Sequence, residues 1–109
     1  MSVTFQIEGL AADYDDQSTY LNLANENAGD LLEWLALARV LWGELDAREL
    51  AARCRRRLWD VSRNYDPARA ESVDGRVVVC GRFAGYLRER TADLLRLAER
   101  AGAARIRWL

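Results

Sequence analysis

Both ends of the chain alternate strictly between apolar and polar residues. Near the start, Val3, Phe5 and Ile7 fall on one side and Thr4, Gln6 and Glu8 on the other; at the end, Ile106 and Trp108 oppose Arg105 and Arg107. Successive side chains of a strand point to opposite faces, so residues 2–8 and 105–109 are predicted as half-buried strands. A fold for this chain must place both ends in a sheet, while most of the sequence between them has helical period.

Leu31, Leu32, Leu35 and Ala38 share one helical face. Their spacing predicts a helix over about 26–39, with Asn25 as N-cap and Glu26 complementing the dipole of the first turn. Gly29 weakens its start by roughly 1 kcal/mol relative to Ala. A turn at Trp42-Gly43-Glu44 leads to Asp46, and Glu49 three residues later makes a capping-box pattern. The helix it opens, over 47–59, has an apolar stripe of Ala47, Leu50, Ala51, Cys54 and Leu58. Residues 61–75 hold the only proline, Pro67, and read as a long loop. Val77, Val78 and Val79 are β-branched in succession, the mark of a strand over 76–80 buried on both faces. Beyond Gly81 a helix over 83–101 is expected, with Phe83, Leu87, Leu94, Ala98 and Ala101 inward and Gly102 ending it. Tyr20-Leu21-Asn22-Leu23 fits either a short extended piece or a turn. The predicted order is β-α-α-β-α-β, an α+β fold with helices packed on a three-stranded sheet. Its last βαβ unit is right-handed if the strands are parallel.

A length of 109 residues suits a single globular domain over 1–109. All 16 cations are Arg, and histidine is absent. That removes Ser–His–Asp and Cys–His catalysis and nearly all zinc sites, so no metal or cofactor is expected. The net charge of −1 hides a split: residues 1–38 hold seven acids and no base, whereas residues 39–109 hold 16 Arg against ten acids. The start lacks the basic and apolar regions of a signal peptide. Glu33 and Arg39 interrupt the longest apolar stretch, 31–42, so no membrane span and a cytoplasmic protein are expected. Cys54 and Cys80, without CxxC spacing, read as free thiols.

Three places could carry chemistry. At the predicted strand-to-helix junction, Gly81 and Arg82, followed by Tyr86, combine free N–H groups, the positive end of a helix dipole and a guanidinium fork. Asn22, Asn25 and Asn27 offer amide donors and acceptors suited to a base or sugar edge. Arg55 and Arg56 point away from the apolar stripe of their helix, and Trp59 lies opposite it, so these three suit an interface. The Arg cluster around them is a natural counterpart for the acid-only first third of the same or a neighbouring chain. Catalysis has little support, because no carboxylate pair sits in an apolar setting that would shift its pKa. A helix-turn-helix reading of the second helix is opposed by a pI near 5.5.

The segments Tyr20-Leu-Asn-Leu-Ala-Asn-Glu-Asn-Ala28, Cys54-Arg-Arg-Arg-Leu-Trp59 and Gly81-Arg82 with Gly85-Tyr86-Leu-Arg88 resemble a group of small proteins of bacterial and phage genomes. The resemblance spans most of the chain, carries no activity and no site residue, and implies a phage or prophage accessory protein that binds rather than turns over its target. The expectation is therefore a non-enzymatic, homo-oligomeric protein sequestering an anionic, nucleotide-like ligand at Asn22, Asn25, Asn27, Gly81, Arg82 and Tyr86. The alternative is a protein–protein inhibitor or adaptor working through its acidic segment and exposed Trp. Nucleic-acid binding ranks third.

Overall fold

The alternation at the two ends builds the centre of one sheet. In the computed structural model, which describes residues 1–64, 70–73 and 76–109 (for 61–84 the backbone path only), the elements are β1 (Ser2–Ile7), β2 (Tyr20–Ala24), α1 (Asn25–Trp34), β3 (Gly43–Asp46), α2 (Ala47–Asn64), β4 (Ala70–Val73), β5 (Arg76–Val79), α3 (Cys80–Ala101) and β6 (Arg105–Trp108). A single 3-10 turn, Gln17–Thr19, leads into β2. The main sheet has four strands in the order β2-β1-β6-β3, every neighbouring pair antiparallel. The fold is α+β, with three helices among the described residues.

Register explains why the sheet holds. Leu21, Phe5, Trp108 and Gly43 lie opposite one another across all four strands on the inward face. Val3 with Leu23, and Ile7 with Ile106 and Leu45, fill the rows to either side. The helices supply Leu31, Leu32, Leu50, Cys54, Leu87, Leu94 and Leu97 to the same core. Each large side chain so buried is worth about 1.5–3 kcal/mol of transfer free energy. The other face carries polar residues, as an antiparallel sheet with one wet side does. There Asn22 donates to the hydroxyls of Ser2 and Thr4 (3.1 and 2.9 Å), and Arg105 pairs with Glu44 at 2.7 Å.

Several expectations are corrected. The sheet has four strands, not three, because Tyr20–Ala24 and Gly43–Asp46 both join it. Gly43 is a strand residue and not part of a turn: the Trp108 indole lies across it, and a Cβ there would meet Cζ2 at 2.7 Å. The run Val77–Val79 is not central to the main sheet. It pairs only with β4, Val73 opposite Arg76, in a separate two-stranded sheet. No parallel βαβ unit forms, since β6 sits between β1 and β3 and is antiparallel to both. The predicted loop 61–75 instead begins with the last turn of α2 and contains β4, while Pro67 lies outside the described residues.

Helix α1 starts at Asn25 but is flanked by Ala24, with no side-chain cap, and it ends at Trp34 instead of near Arg39. Its end is a Schellman motif: the Leu37 N–H bonds Leu32 O (2.8 Å) and the Ala36 N–H bonds Glu33 O (3.0 Å), with Ala36 at φ 60°. The segment beyond folds back over the helix, and Arg39 reaches Asp30 at 2.8 Å and Glu33 at 3.6 Å. Its guanidinium lies where a Cβ of Gly29 would be, 2.6 Å away, so the glycine's helix penalty makes room for that ion pair. Asp46 caps α2 as expected, its carboxylate accepting the Arg48 N–H at 2.8 Å. The Glu49 carboxylate pairs with Arg53 (3.3 Å). Gly102, at φ 61°, ends α3 as expected.

Gly43→Val would place branched carbons inside the Trp108 ring. Overpacking of this kind costs about 1–3 kcal/mol. The expected result in urea denaturation is a lower midpoint with an unchanged m-value; a midpoint equal to that of the natural sequence would show that the indole is not held against β3.

Candidate functional site

The best-formed concavity follows the outer edge of β2. Thr19 anchors the approach: its Oγ1 accepts the Asp13 N–H (2.9 Å) and donates to Asp16 O (2.7 Å). Asp16 caps the 3-10 turn by accepting from the Ser18 N–H at 3.0 Å and the Ser18 hydroxyl at 2.6 Å. Arg100 of α3 then reaches Asp16 at 3.2 Å and also contacts the Ser18 hydroxyl. These bonds hold the turn against the helix and leave a cleft of about 420 Å³ between them. Gln17, Ser18, Tyr20, Leu21 and Asn22 form one wall, and Arg90, Asp93 and Arg96 form the other.

The helical wall is a positive face with one acid at its centre. Asp93 takes Arg90 at 3.1 Å and also pairs with Arg96. Arg96 is 70% exposed, and no other protein acceptor holds its fork among the described residues. Arg90 is more enclosed, with its guanidinium carbon 5.5 Å from the centre of the Tyr86 ring. Cation–π contact of this kind fixes a guanidinium without neutralising it. Hydrogen bonds from Ser18, then Arg100, hold the Asp16 carboxyl below the usual carboxylate range. The cap that shapes the cleft is thus charged at neutral pH.

Of the residues expected in a ligand site, Asn22 lines this cleft, and Tyr86 borders it through Arg90. Asn25 and Asn27 sit in the first turn of α1, half-buried, outside the cleft lining. Gly81 and Arg82 lie inside the first turn of α3, not in a turn before it. Their side chains fall outside the described residues, as does that of Cys80. Arg90, Asp93 and Arg96 went unnoticed in the sequence. Their i, i+3, i+6 spacing marks one helix face, but only the packing of α3 beside β2 turns that face into a wall.

The expected interface residues lie on α2. Arg55 and Arg56 are exposed, and Trp59, 58% exposed, borders a groove with Leu58, Gly85, Arg88 and Glu89. The Arg cluster meets the N-terminal third, though not through carboxylates among the described residues. Arg53 donates to the carbonyls of Leu35 and Ala36 (3.2 and 3.3 Å), which closes the end of α1. Arg57 stacks on Trp34, 3.8 Å from the ring centre. Cys54 is a core residue, not a nucleophile, since burial pushes its thiol up to about 12. Among the described residues no group of three or more His, Cys, Asp or Glu could hold a metal ion, and no helix is long and apolar enough to cross a membrane.

A carboxylate with a depressed pKa stabilises the fold above its unfolded value and loses that contribution as pH falls through the lowered one. Asp16→Asn keeps a capping oxygen but removes the charge that Arg100 reads. The variant is expected to melt below the natural protein at neutral pH, and the gap should close below about pH 4. Equal melting temperatures at neutral pH would mean that Arg100 gains nothing from the charge.

In comparisons with known proteins, the chain matches no family model, no curated protein and no solved structure.

Proposed function

We propose that this chain is a non-enzymatic binding protein, of the accessory type found in phages and prophages, that holds an anionic ligand in the cleft between β2 and α3. The observation that carries the reading is the pair of guanidinium groups, Arg90 and Arg96, on one wall of a cleft whose other wall offers Ser18, Tyr20 and Asn22. About 420 Å³ falls within the range of small-ligand pockets, roughly 300–1,000 Å³. A fork of guanidinium donors suits phosphate or carboxylate oxygens, and the hydroxyls and amide opposite suit a sugar or base edge. A nucleotide-like ligand meets all of these groups at once. The lack of histidine and the buried, protonated Cys54 thiol favour capture over turnover. Self-association of the captured form is part of the proposal, with Arg55, Arg56 and Trp59 as its contacts.

A second reading, an inhibitor or adaptor that docks on another protein, draws on exposed aromatics. Tyr14 beside the acidic loop is 73% exposed, and Trp42 before β3 is 67% exposed. Scattered single residues of this kind are common on protein surfaces, so this reading ranks below the cleft.

The test is a thermal-shift titration with adenosine triphosphate on the natural protein, Arg96→Ala and Arg82→Ala. A bound ligand raises stability by RT ln(1 + [L]/Kd), about 2.7 kcal/mol at a hundredfold excess over Kd. The expected outcome is a dose-dependent shift, lost in Arg96→Ala and kept in Arg82→Ala. Loss in Arg82→Ala alone would move the site to the start of α3. No shift in the natural protein would remove the nucleotide.

A further inference from the structure

We infer that the free edge of β2 is a strand-addition site, and that its occupant is an extended acidic segment of a partner protein. The inference rests on the cleft being an anion site and names what fills it.

Three observations converge on this edge. β2 is the last strand on its side of the sheet and pairs only with β1, and no described residue supplies a hydrogen bond to its other edge. The cleft is lined by Tyr20, Leu21 and Asn22 in succession. Because successive strand side chains point to opposite faces, a cleft that touches all three runs along the backbone itself. Every second residue of β2 therefore turns an unpaired N–H and C=O toward it.

The two sheet edges are also treated differently. β3, the opposite edge, reads Gly-Glu-Leu-Asp and carries two acids, one of the usual guards against strand pairing. β2 reads Tyr-Leu-Asn-Leu-Ala, with no charge and no proline. It is the unguarded edge, and α3 stands beside it at the distance of a cleft instead of covering it.

The spacing of α3 fits an added strand. Arg90 and Arg96 are six residues apart on a helix, which at 1.5 Å per residue is about 9 Å along its axis. Side chains at i and i+2 of a strand stand about 7 Å apart. Consecutive same-face side chains of an added strand would therefore each meet one arginine. Asp93 lies between the two and is already taken by both, so the wall favours acidic side chains at those positions. Main-chain pairing supplies affinity in such complexes, and alternate side chains supply specificity.

The test uses fluorescence anisotropy with a labelled, acetylated octapeptide of alternating valine and glutamate. Two further peptides are N-methylated at alternate positions, one in each register, and a fourth has lysine for glutamate. The expected result is that the parent peptide binds, the lysine peptide binds at least tenfold more weakly, and one N-methylated register loses at least tenfold while the other does not. Arg96→Glu should weaken the parent peptide at least tenfold. Arg96 is well exposed, and circular dichroism checks its fold, with Arg90→Gln as the second variant. Equal binding of both N-methylated registers, with Arg96→Glu still weakening them, would overturn strand addition and leave the anion site standing. Failure of the parent peptide where adenosine triphosphate stabilises the protein would do the same. Failure of both ligands would end both readings.

Discussion

The indole of Trp108 ties together segments far apart in sequence. It stacks on Phe5 with ring centres 5.7 Å apart, lies across Gly43, and donates its N–H to Val40 O at 3.0 Å. Removing a buried aromatic of this size costs about 3–5 kcal/mol. More than energy depends on it. β6 is the only strand bonded to both β1 and β3, so the N-terminal hairpin and the middle of the chain share a sheet only through it. The contacts it makes span most of the sequence, and long loop closure of this kind makes folding slow. The hydrogen bond to Val40 O also pins the segment between α1 and β3, the stretch that carries Arg39 back to Asp30.

What could be read from the sequence is what depends on local period. Both terminal strands, the inward faces of α2 and α3, the Asp46 cap and the Gly102 stop all follow from spacing and cap chemistry. The misses share a different cause. Gly43 looked like a turn because its partner, Trp108, is 65 residues away and supplies the side chain that the glycine lacks. Ala36 adopts a left-handed conformation usually left to glycine, so nothing in its identity marks the end of α1. β4, Ala-Glu-Ser-Val, has no apolar alternation, although the Asp74-Gly75 dipeptide before β5 is a strong hairpin signal. The valine run after it has strand propensity, but propensity does not say which sheet a strand joins. The cleft was legible only through Asn22 and Tyr86, since a helix face becomes a wall only when something stands opposite.

The split in charge along the sequence resolves into several local pairings. The acid-only third finds its cations at Arg39, just past its own end, and at Arg100 on α3. The α2 arginines meet that third through carbonyl oxygens and an indole. A guanidinium on the last carbonyls of a helix satisfies groups that would otherwise need water, and it complements the negative end of the dipole. Arg53 therefore closes α1 where its terminal Ala36 gives no help. These are contacts for Arg in particular, because a lysine has neither the planar fork nor the ring-stacking face.

The same economy links stability to the cleft. Arg100 clamps the Asp16–Ser18 turn to α3, and that turn forms the end of the wall that continues along β2. Loosening the clamp would let α3 and the strand edge separate, so the width of the cleft is set by an exposed ion pair that salt weakens. A ligand seated between Arg96 and the strand edge would restore the tie from the other side. Occupancy and the order of the 13–19 turn should then rise together, because both act across the same gap between one helix and one strand.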